Sequence, residues 1–528
     1  MKIHVAAAGD SLWKIAQAYG VEWSALILMN RHISDPDSNI AGMNVHIPDK
    51  TASLRNQTAI PSCPPEIPAR LIDQWIPLTP LTEMADKEYD VLIVGTGGGG
   101  GAALWRLCEQ LGNTPMRIGV IERGDLLLPT HALNVPTFWD WSKMLEYFLN
   151  PKISTPIGKL LPEYSGARLV YALGGRTLFW GATTPRFPSF ELAGWPISYK
   201  ELETYYNIAE QVMAVNKFGP PAPSSQIVLG RLWEGGYPEA SVLPQAIGRG
   251  QFSSIVFLGE ALRHRPYDLA VKARAVQVTT ENGKAAGVKV MSPDKTTYFL
   301  KARHVVVSGG ALETPRLLLN SGIPGRAIGH YLINHSFMKS PGKVTDALPE
   351  EGGSILIPQS GNRPYQVQMY LFGGTDYLCD MFGRVEPRFE NRVTLDYSRR
   401  DEYGVPGIQV DFSYSSKDQS VIGRLADEAK QIASTIGGAL APTASMPAIC
   451  IQPPGADYHE AGTCRMGSDP ANSATDRYGQ IHGITGLYAA DNSVLPTLGA
   501  VNPTLTTAAL AMRTADHIVR QLRDADAG

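Results

Sequence analysis

The chain has 528 residues, 44% hydrophobic and 18% charged, with a net charge of −3; it is long enough for about two to four domains and has no basic field to hold nucleic acid. No run approaches the roughly 18 apolar residues of a membrane span. The cysteines, Cys63, Cys108, Cys379, Cys450 and Cys464, are odd in number, widely spaced and without a C-x-x-C pair, which argues against a disulfide framework or a zinc site. The first residues lead into an amphipathic pattern with no apolar signal core, so a cytoplasmic setting is expected.

Residues 1–50 read as a small unit. A short strand at Ile3–Val5 precedes Gly9-Asp10-Ser11, where Ser11 caps a helix through Tyr19 that Gly20 ends. A second helix, Trp23–Met29, is closed by Asn30, and Asn44–Pro48 returns as a strand. This run, from Gly-Asp-Ser-Leu-Trp-Lys-Ile-Ala to Gly-Met-Asn-Val-His-Ile-Pro, resembles a LysM domain along its whole length. The resemblance implies binding to N-acetylglucosamine-containing glycans such as peptidoglycan or chitin, and an envelope setting. The alternative is a purely structural unit that packs on the rest of the chain or on a second copy, which keeps a homo-oligomer open.

Residues 51–86 carry Pro61, Pro64, Pro65, Pro68, Pro77 and Pro80 without periodicity and read as a linker. Val91–Val94 is apolar at every position, as in a strand buried on both faces of a parallel sheet. Gly95, Gly97 and Gly100 follow at G-x-G-x-x-G spacing, which allows a tight turn, close backbone approach to a pyrophosphate and close helix packing. A helix is expected over Ala102–Leu111, its N-terminus facing an anion. A second apolar run, Ile118–Ile121, ends in Glu122, where an acid meets a ribose hydroxyl. Together these predict a dinucleotide site, without separating FAD from NAD.

Further along, Ala172–Arg186 contains the pair Gly174-Gly175, and a helix is expected over Glu201–Val215. Alternating runs over Asp268–Val307 are split by Asn282-Gly283, a hairpin signal. Val305–Val307 leads through Gly309-Gly310 into another helix. Residues 331–455 alternate as strands, including Tyr365–Leu371, Arg392–Tyr397 and Ile408–Tyr414, before a helix over Lys417–Ile436; they suit one antiparallel sheet that selects substrate. The last segment holds His459-Glu460-Ala461-Gly462-Thr463, then Asp491, then Val501-Asn502-Pro503-Thr504 opening a final helix with Pro503 at its first position.

With these motifs assembled, residues 88–528 resemble the glucose-methanol-choline (GMC) family of FAD-dependent oxidoreductases, and Gly310–Gly322 is similar to its second signature. The resemblance implies an α/β and α+β architecture. A Rossmann-like FAD-binding domain occupies 87–330, with an insertion of the substrate domain near 190–240, and continues over 456–528; an antiparallel-sheet substrate domain spans 331–455. It implies FAD contacts from Gly95, Gly97, Gly98, Gly100, Glu122, Gly174, Thr177, Trp180, Gly181, Ala182, the backbone of Val276, Asp491 and Thr504. The catalytic pair would be His459, as base for an alcohol hydroxyl while hydride passes to the flavin, and Asn502, as its partner on the same oxygen.

Gly174–Arg186 looks most like the pyranose oxidase branch, which points to a sugar or glycoside as substrate and to a ketone at C2 or C3. Where that branch carries a flavin-linked histidine, this chain has Phe179, so non-covalent FAD is expected. The alternatives are oxidation of a non-sugar alcohol, or a glycan-binding protein whose flavin body is inert. No metal is expected, because no His/Cys cluster shows ligand spacing. His330 and His335 flank a predicted turn and are read as structural, with a supporting place beside the catalytic pair as the alternative.

Overall fold

A computed structural model describes residues 2–33, 35, 38–48, 76–126, 145–146, 148–157, 164–216, 221–248 and 250–527. Cys63 and the prolines at 61, 64, 65 and 68 lie outside these residues. The chain divides into two compact units, Met1–Ala69 and Arg70–Gly528.

The first unit is β1 (Lys2–Val5), α1 (Leu12–Tyr19), α2 (Trp23–Met29) and β2 (Asn44–Ile47), with β1 antiparallel to β2. The Ser11 hydroxyl accepts from Lys14 N, and Gly20, at φ 60°, ends the helix in the left-handed region. Asn30 then ties helix to strand: its Nδ2 donates to the Leu26 and His46 carbonyls, and its Oδ1 accepts from His46 N. Leu12, Ile15, Leu26, Val45 and Ile47 form the core.

In the second unit a short helix at Leu81–Ala85, inside the stretch expected to be linker, precedes the main elements β3 (Glu88–Val94), α3 (Gly98–Leu111), β4 (Ile118–Ile121), α4 (Tyr199–Val212) and α5 (Ser254–Leu262). Then follow β5 (Asp268–Ala270), β6 (Arg274–Glu281), β7 (Lys284–Met291), β8 (Thr297–Val307) and α6 (Gly310–Asn320). The next strands are β9 (Ser336–Leu348), β10 (Gly353–Ile357), β11 (Tyr365–Leu371), β12 (Gly374–Gly383), β13 (Arg392–Arg400) and β14 (Pro406–Asp411). The chain closes with α7 (Ser416–Thr435), β15 (Leu487–Ala489) and α8 (Thr504–Ala527).

One sheet runs β5-β4-β3-β8-β7-β6, with β15 beside β8. Pairing is parallel from β5 through β8 and onto β15, and antiparallel across the β8-β7-β6 meander. Parallel pairing buries β3 on both faces, which is why Val91, Leu92 and Ile93 are fully buried. The Asn282-Gly283 turn has both residues at positive φ, 50° and 74°, the conformation a two-residue hairpin requires. A second, antiparallel sheet contains β9-β12-β11-β10, and α7 covers one of its faces through Leu425, Ala429 and Ile432.

Three expectations shift. Helix α3 begins at Gly98, four residues before the expected Ala102, because Gly99 and Gly100 are needed inside its first turn. Glycine there costs roughly 1 kcal/mol against alanine, but a Cβ on Gly99 would stand 1.9 Å from the Ala490 carbonyl and one on Gly100 2.0 Å from that of Gly95. Sterics outweigh propensity. Second, β13 and β14 pair with each other in a separate two-stranded ladder and do not join the larger sheet. Third, α8 starts at Thr504, so Pro503 stands just before the helix. Among the described residues, no helix is long and apolar enough to cross a membrane.

Candidate active site

A cavity opens at the carboxyl ends of β3, β4 and β8, where a parallel sheet leaves its ligand crevice. Gly95, at φ 100°, lets the turn after β3 pass the Ser308 carbonyl, which a Cβ would meet at 2.5 Å. Gly97 does a different job. A Cβ there would meet nothing within 4 Å, and Gly98 is nearly as open, so the first turn of α3 shows bare backbone to the cavity. The pair at 174 and 175 comes close on the other side: a Cβ on Gly175 would lie 3.2 Å from Gly97 Cα, and Gly174 N donates to Thr96 Oγ1 at 2.9 Å.

Two buried acids face this cavity. Glu122 accepts from Thr96 N (3.0 Å), Thr96 Oγ1 (2.7 Å) and Gly124 N (2.8 Å). Asp491 accepts from Ser493 N, Gly310 N and Thr314 Oγ1, joining α6 to the loop after β15. Burial raises both carboxyl pKa values, and the donated hydrogen bonds oppose it. Gly95, Gly97, Gly98, Glu122, Thr177, Asp491 and Thr504 all line the cavity. Gly100 and Gly174 pack behind it. Trp180 Nε1 donates to the Phe252 carbonyl, the Gly181 carbonyl accepts from Gln245 Nε2, and the Ala182 carbonyl accepts from Ala246 N, so these three are engaged away from it. Val276 sits at a bulge in β6 with its carbonyl on Asn320 Nδ2, and its neighbours Ala273–Ala275 supply the wall.

Tyr458 and Glu460 line the same cavity and bracket His459. Tyr458 is held at φ 57°, unusual for a residue with a Cβ. Arg176 fixes the turn by donating to the Tyr458 carbonyl at 3.0 Å and to the Glu460 carboxylate. His459 Nε2 then lies 3.3 Å from Asn502 Nδ2, and His459 Nδ1 lies 3.0 Å from His335 Nδ1. Behind both rings, Asp457 Oδ2 accepts from His335 N at 2.8 Å and stands 3.8 Å from His459 Nδ1. The ligand-capable atoms of His335, Asp457 and His459 lie within 4.8 Å of one another.

The His459 side chain is only 15% exposed, and those of Asp457 and His335 are 0%. Burial lowers the His459 pKa from an ordinary 6.5 to about 3, against the opposing pull of Asp457, so the ring is neutral near pH 7. Burial alone would raise Asp457, but hydrogen bonding from His335 holds it below its usual value. The cluster therefore pairs a neutral imidazole with a buried carboxylate. Asn502 is held from the far side, its Oδ1 accepting from Gln366 Nε2 at 2.7 Å and Gln368 Nε2 at 2.5 Å.

Sequence reasoning missed Asp457, Gln366, Gln368 and Gly99 as parts of this assembly and held His335 only as an alternative. A weak signal existed for the glutamines: they alternate within a predicted strand where the other positions are apolar. His335 is 124 residues from His459, and no spacing rule joins them.

Two GMC oxidoreductase family models match residues 171–337 and 387–511, and a LysM domain model matches residues 4–48. The chain is 30% identical over 395 residues to a C-glycoside 3-oxidase of Arthrobacter globiformis, covering 67% of this chain and 75% of that relative. It is 24% identical over 547 residues to a 2-methyl-1,2-propanediol dehydrogenase of Mycolicibacterium austroafricanum, covering 84% of this chain and 97% of that one. Among solved structures, pyridoxine 4-oxidase from Mesorbium loti shares the fold at a TM-score of 0.63 and 16% identity, over 81% of this chain and 99% of that one.

Proposed function

This chain belongs to the GMC oxidoreductase family, and from that premise we propose that it is an FAD-dependent enzyme that oxidises a ring secondary hydroxyl of a sugar or glycoside, at C2 or C3, to a ketone. The observation that carries this reading is the convergence of His459 Nε2 and Asn502 Nδ2, 3.3 Å apart, beside a cavity suited to a dinucleotide.

The residues present fit FAD. Gly97 and Gly98 leave open space at the helix start, where backbone amides and the helix dipole favour a pyrophosphate. Glu122 is positioned as a ribose acceptor, and the N-terminus of α8 at Thr504 also lines the cavity, its side chain 3.6 Å from where a Cβ on Gly98 would stand. Phe179 has no atom able to form the histidyl link, so FAD is held without a covalent bond. We assign 87–330 and 456–528 to FAD binding and 331–455 to substrate selection.

Bound FAD would supply the hydride acceptor. Every other task falls to the chain. His459, neutral, takes the hydroxyl proton at Nε2. Asn502 Nδ2 donates to the same oxygen and opposes its developing negative charge. The buried Asp457 carboxylate, 3.8 Å from His459 Nδ1, stabilises the imidazolium that results. Such general-base assistance typically contributes about 10²–10⁴ in rate.

The test is anaerobic flavin bleaching of the full chain against free sugars and glycosides, with His459→Ala as control. Sugar-dependent bleaching lost in the variant, with flavin retained, supports the reading; no bleaching by any sugar refutes it. The 2-methyl-1,2-propanediol dehydrogenase relative favours a second reading, a non-sugar alcohol as substrate, which the same assay decides when diols are included. The LysM unit is proposed to engage an N-acetylglucosamine-containing glycan and so to associate the enzyme with an envelope polymer.

A further inference from the structure

The strand β11 presents Gln366, Gln368 and Tyr370 at two-residue spacing on one face, opposite Tyr365, Val367, Met369 and Leu371, which enter the core beneath α7. Gln366 and Gln368 are 1% and 2% exposed. Buried amides must find partners, and the way these find theirs has a single sense along the chain of contacts.

The Tyr370 hydroxyl donates to Gln368 Oε1 at 3.0 Å. Gln368 is therefore left with its amide nitrogen for Asn502 Oδ1, and Gln366 Nε2 donates to the same oxygen. With its oxygen receiving two N–H groups, Asn502 can turn only Nδ2 toward His459. An amide nitrogen donates and does not accept. His459 Nε2 must then be the ring atom with the lone pair, so the proton of the neutral ring sits on Nδ1. That proton points toward His335 Nδ1, 3.0 Å away, with the Asp457 carboxylate 3.8 Å from the same nitrogen.

The opposite tautomer fails at a definite place. A proton on His459 Nε2 would face the Asn502 amide donor, and turning that amide over would set its NH2 against two glutamine NH2 groups. The first choice sets two donors face to face, and the second holds only if both glutamine amides turn over as well.

We propose that Gln366, Gln368, Tyr370 and His335 are positioning residues that hold His459 in its Nδ1–H tautomer, so that Nε2 begins each turnover with its lone pair toward the substrate hydroxyl. The inference rests on the reading of His459 as the base. It explains why a hydrophobic strand core carries two buried glutamines on its other face: they act on His459 through Asn502 and leave the substrate contact to that pair.

The experiment uses the full-length, flavin-loaded protein labelled with 15N at its 11 histidines, with His459 assigned by its loss in His459→Ala. Long-range 1H–15N correlation distinguishes the protonated from the bare ring nitrogen. The expected result is one tautomer, with Nδ1 protonated and Nε2 bare. In Gln366→Met/Gln368→Met, where Asn502 is free to turn over, the His459 shifts should move toward the average of both tautomers. In parallel, kcat should fall about tenfold, with KM changed less than about twofold. Protonation on Nε2 in the wild type overturns the proposal, and so do unchanged His459 shifts in a double variant that retains its flavin spectrum. Should the double variant not fold, the wild-type spectrum decides alone. Because the measurement needs no substrate, its failure is distinct from a failure of sugar oxidation.

Discussion

His459 Nε2 and Asn502 Nδ2 approach to 3.3 Å although one residue sits in a turn after a strained Tyr458 and the other just before the last helix, 43 positions later. On the proposed reading a substrate hydroxyl replaces this contact, His459 accepting its proton and Asn502 donating to its oxygen.

Activity should be insensitive to pH through the ordinary histidine range. A base must be unprotonated, and burial lowers the His459 pKa to about 3, so kcat/KM should stay level as pH falls through 6.5 and decline only as it nears the lower value. Steady-state profiles with the best substrate check this. An acid limb centred near 6.5 would mean that burial does not depress the pKa of the base.

Two neighbouring glycines should respond oppositely to the same change. Gly99→Ala would press a Cβ to 1.9 Å from the Ala490 carbonyl, and overpacking of this kind costs about 1–3 kcal/mol. The apoprotein melting temperature should therefore drop. Gly97→Ala meets no protein atom within 4 Å, so the apoprotein should melt as the wild type does while FAD binds at least about tenfold more weakly. Thermal melts with and without added FAD separate the two.

The flavin should leave the protein intact. Phe179 packs against the ring of Phe148 at 5.5 Å and offers no nucleophilic nitrogen. Acid precipitation should release all of the yellow colour into the supernatant as FAD. Colour retained in the denatured pellet would show a covalent link through another side chain.

The LysM unit exposes Trp13 and Leu28 at its surface. Full-length protein should sediment with insoluble chitin or peptidoglycan, and Trp13→Ala should reduce the bound fraction several-fold without changing flavin content. Equal recovery in the supernatant with either polymer would leave the unit a structural role.

Local features were readable because local chemistry produces them. The Asn282-Gly283 turn, the capped helix at Ser11 and the apolar strand at Val91–Val94 follow from backbone preferences and short-range periodicity. The G-x-G-x-x-G spacing announced a cavity, yet spacing could not say that Gly95 and Gly100 serve packing while Gly97 and Gly98 face open space. Nor could it extend α3 back to Gly98, since that depends on Ala490, almost 400 residues away.

By itself, then, the sequence determined most of the elements and the glycine turn after β3, and its resemblance to the GMC family pointed to His459 and Asn502 as the pair that would act on an alcohol. Only the tertiary structure decided how that histidine is poised. The low pKa of His459 comes from burial, the charge behind it from Asp457, and the amide orientation before it from Gln366 and Gln368 on β11. Dielectric environment and hydrogen-bond sense are properties of groups brought together through space, and no periodicity along the chain encodes them.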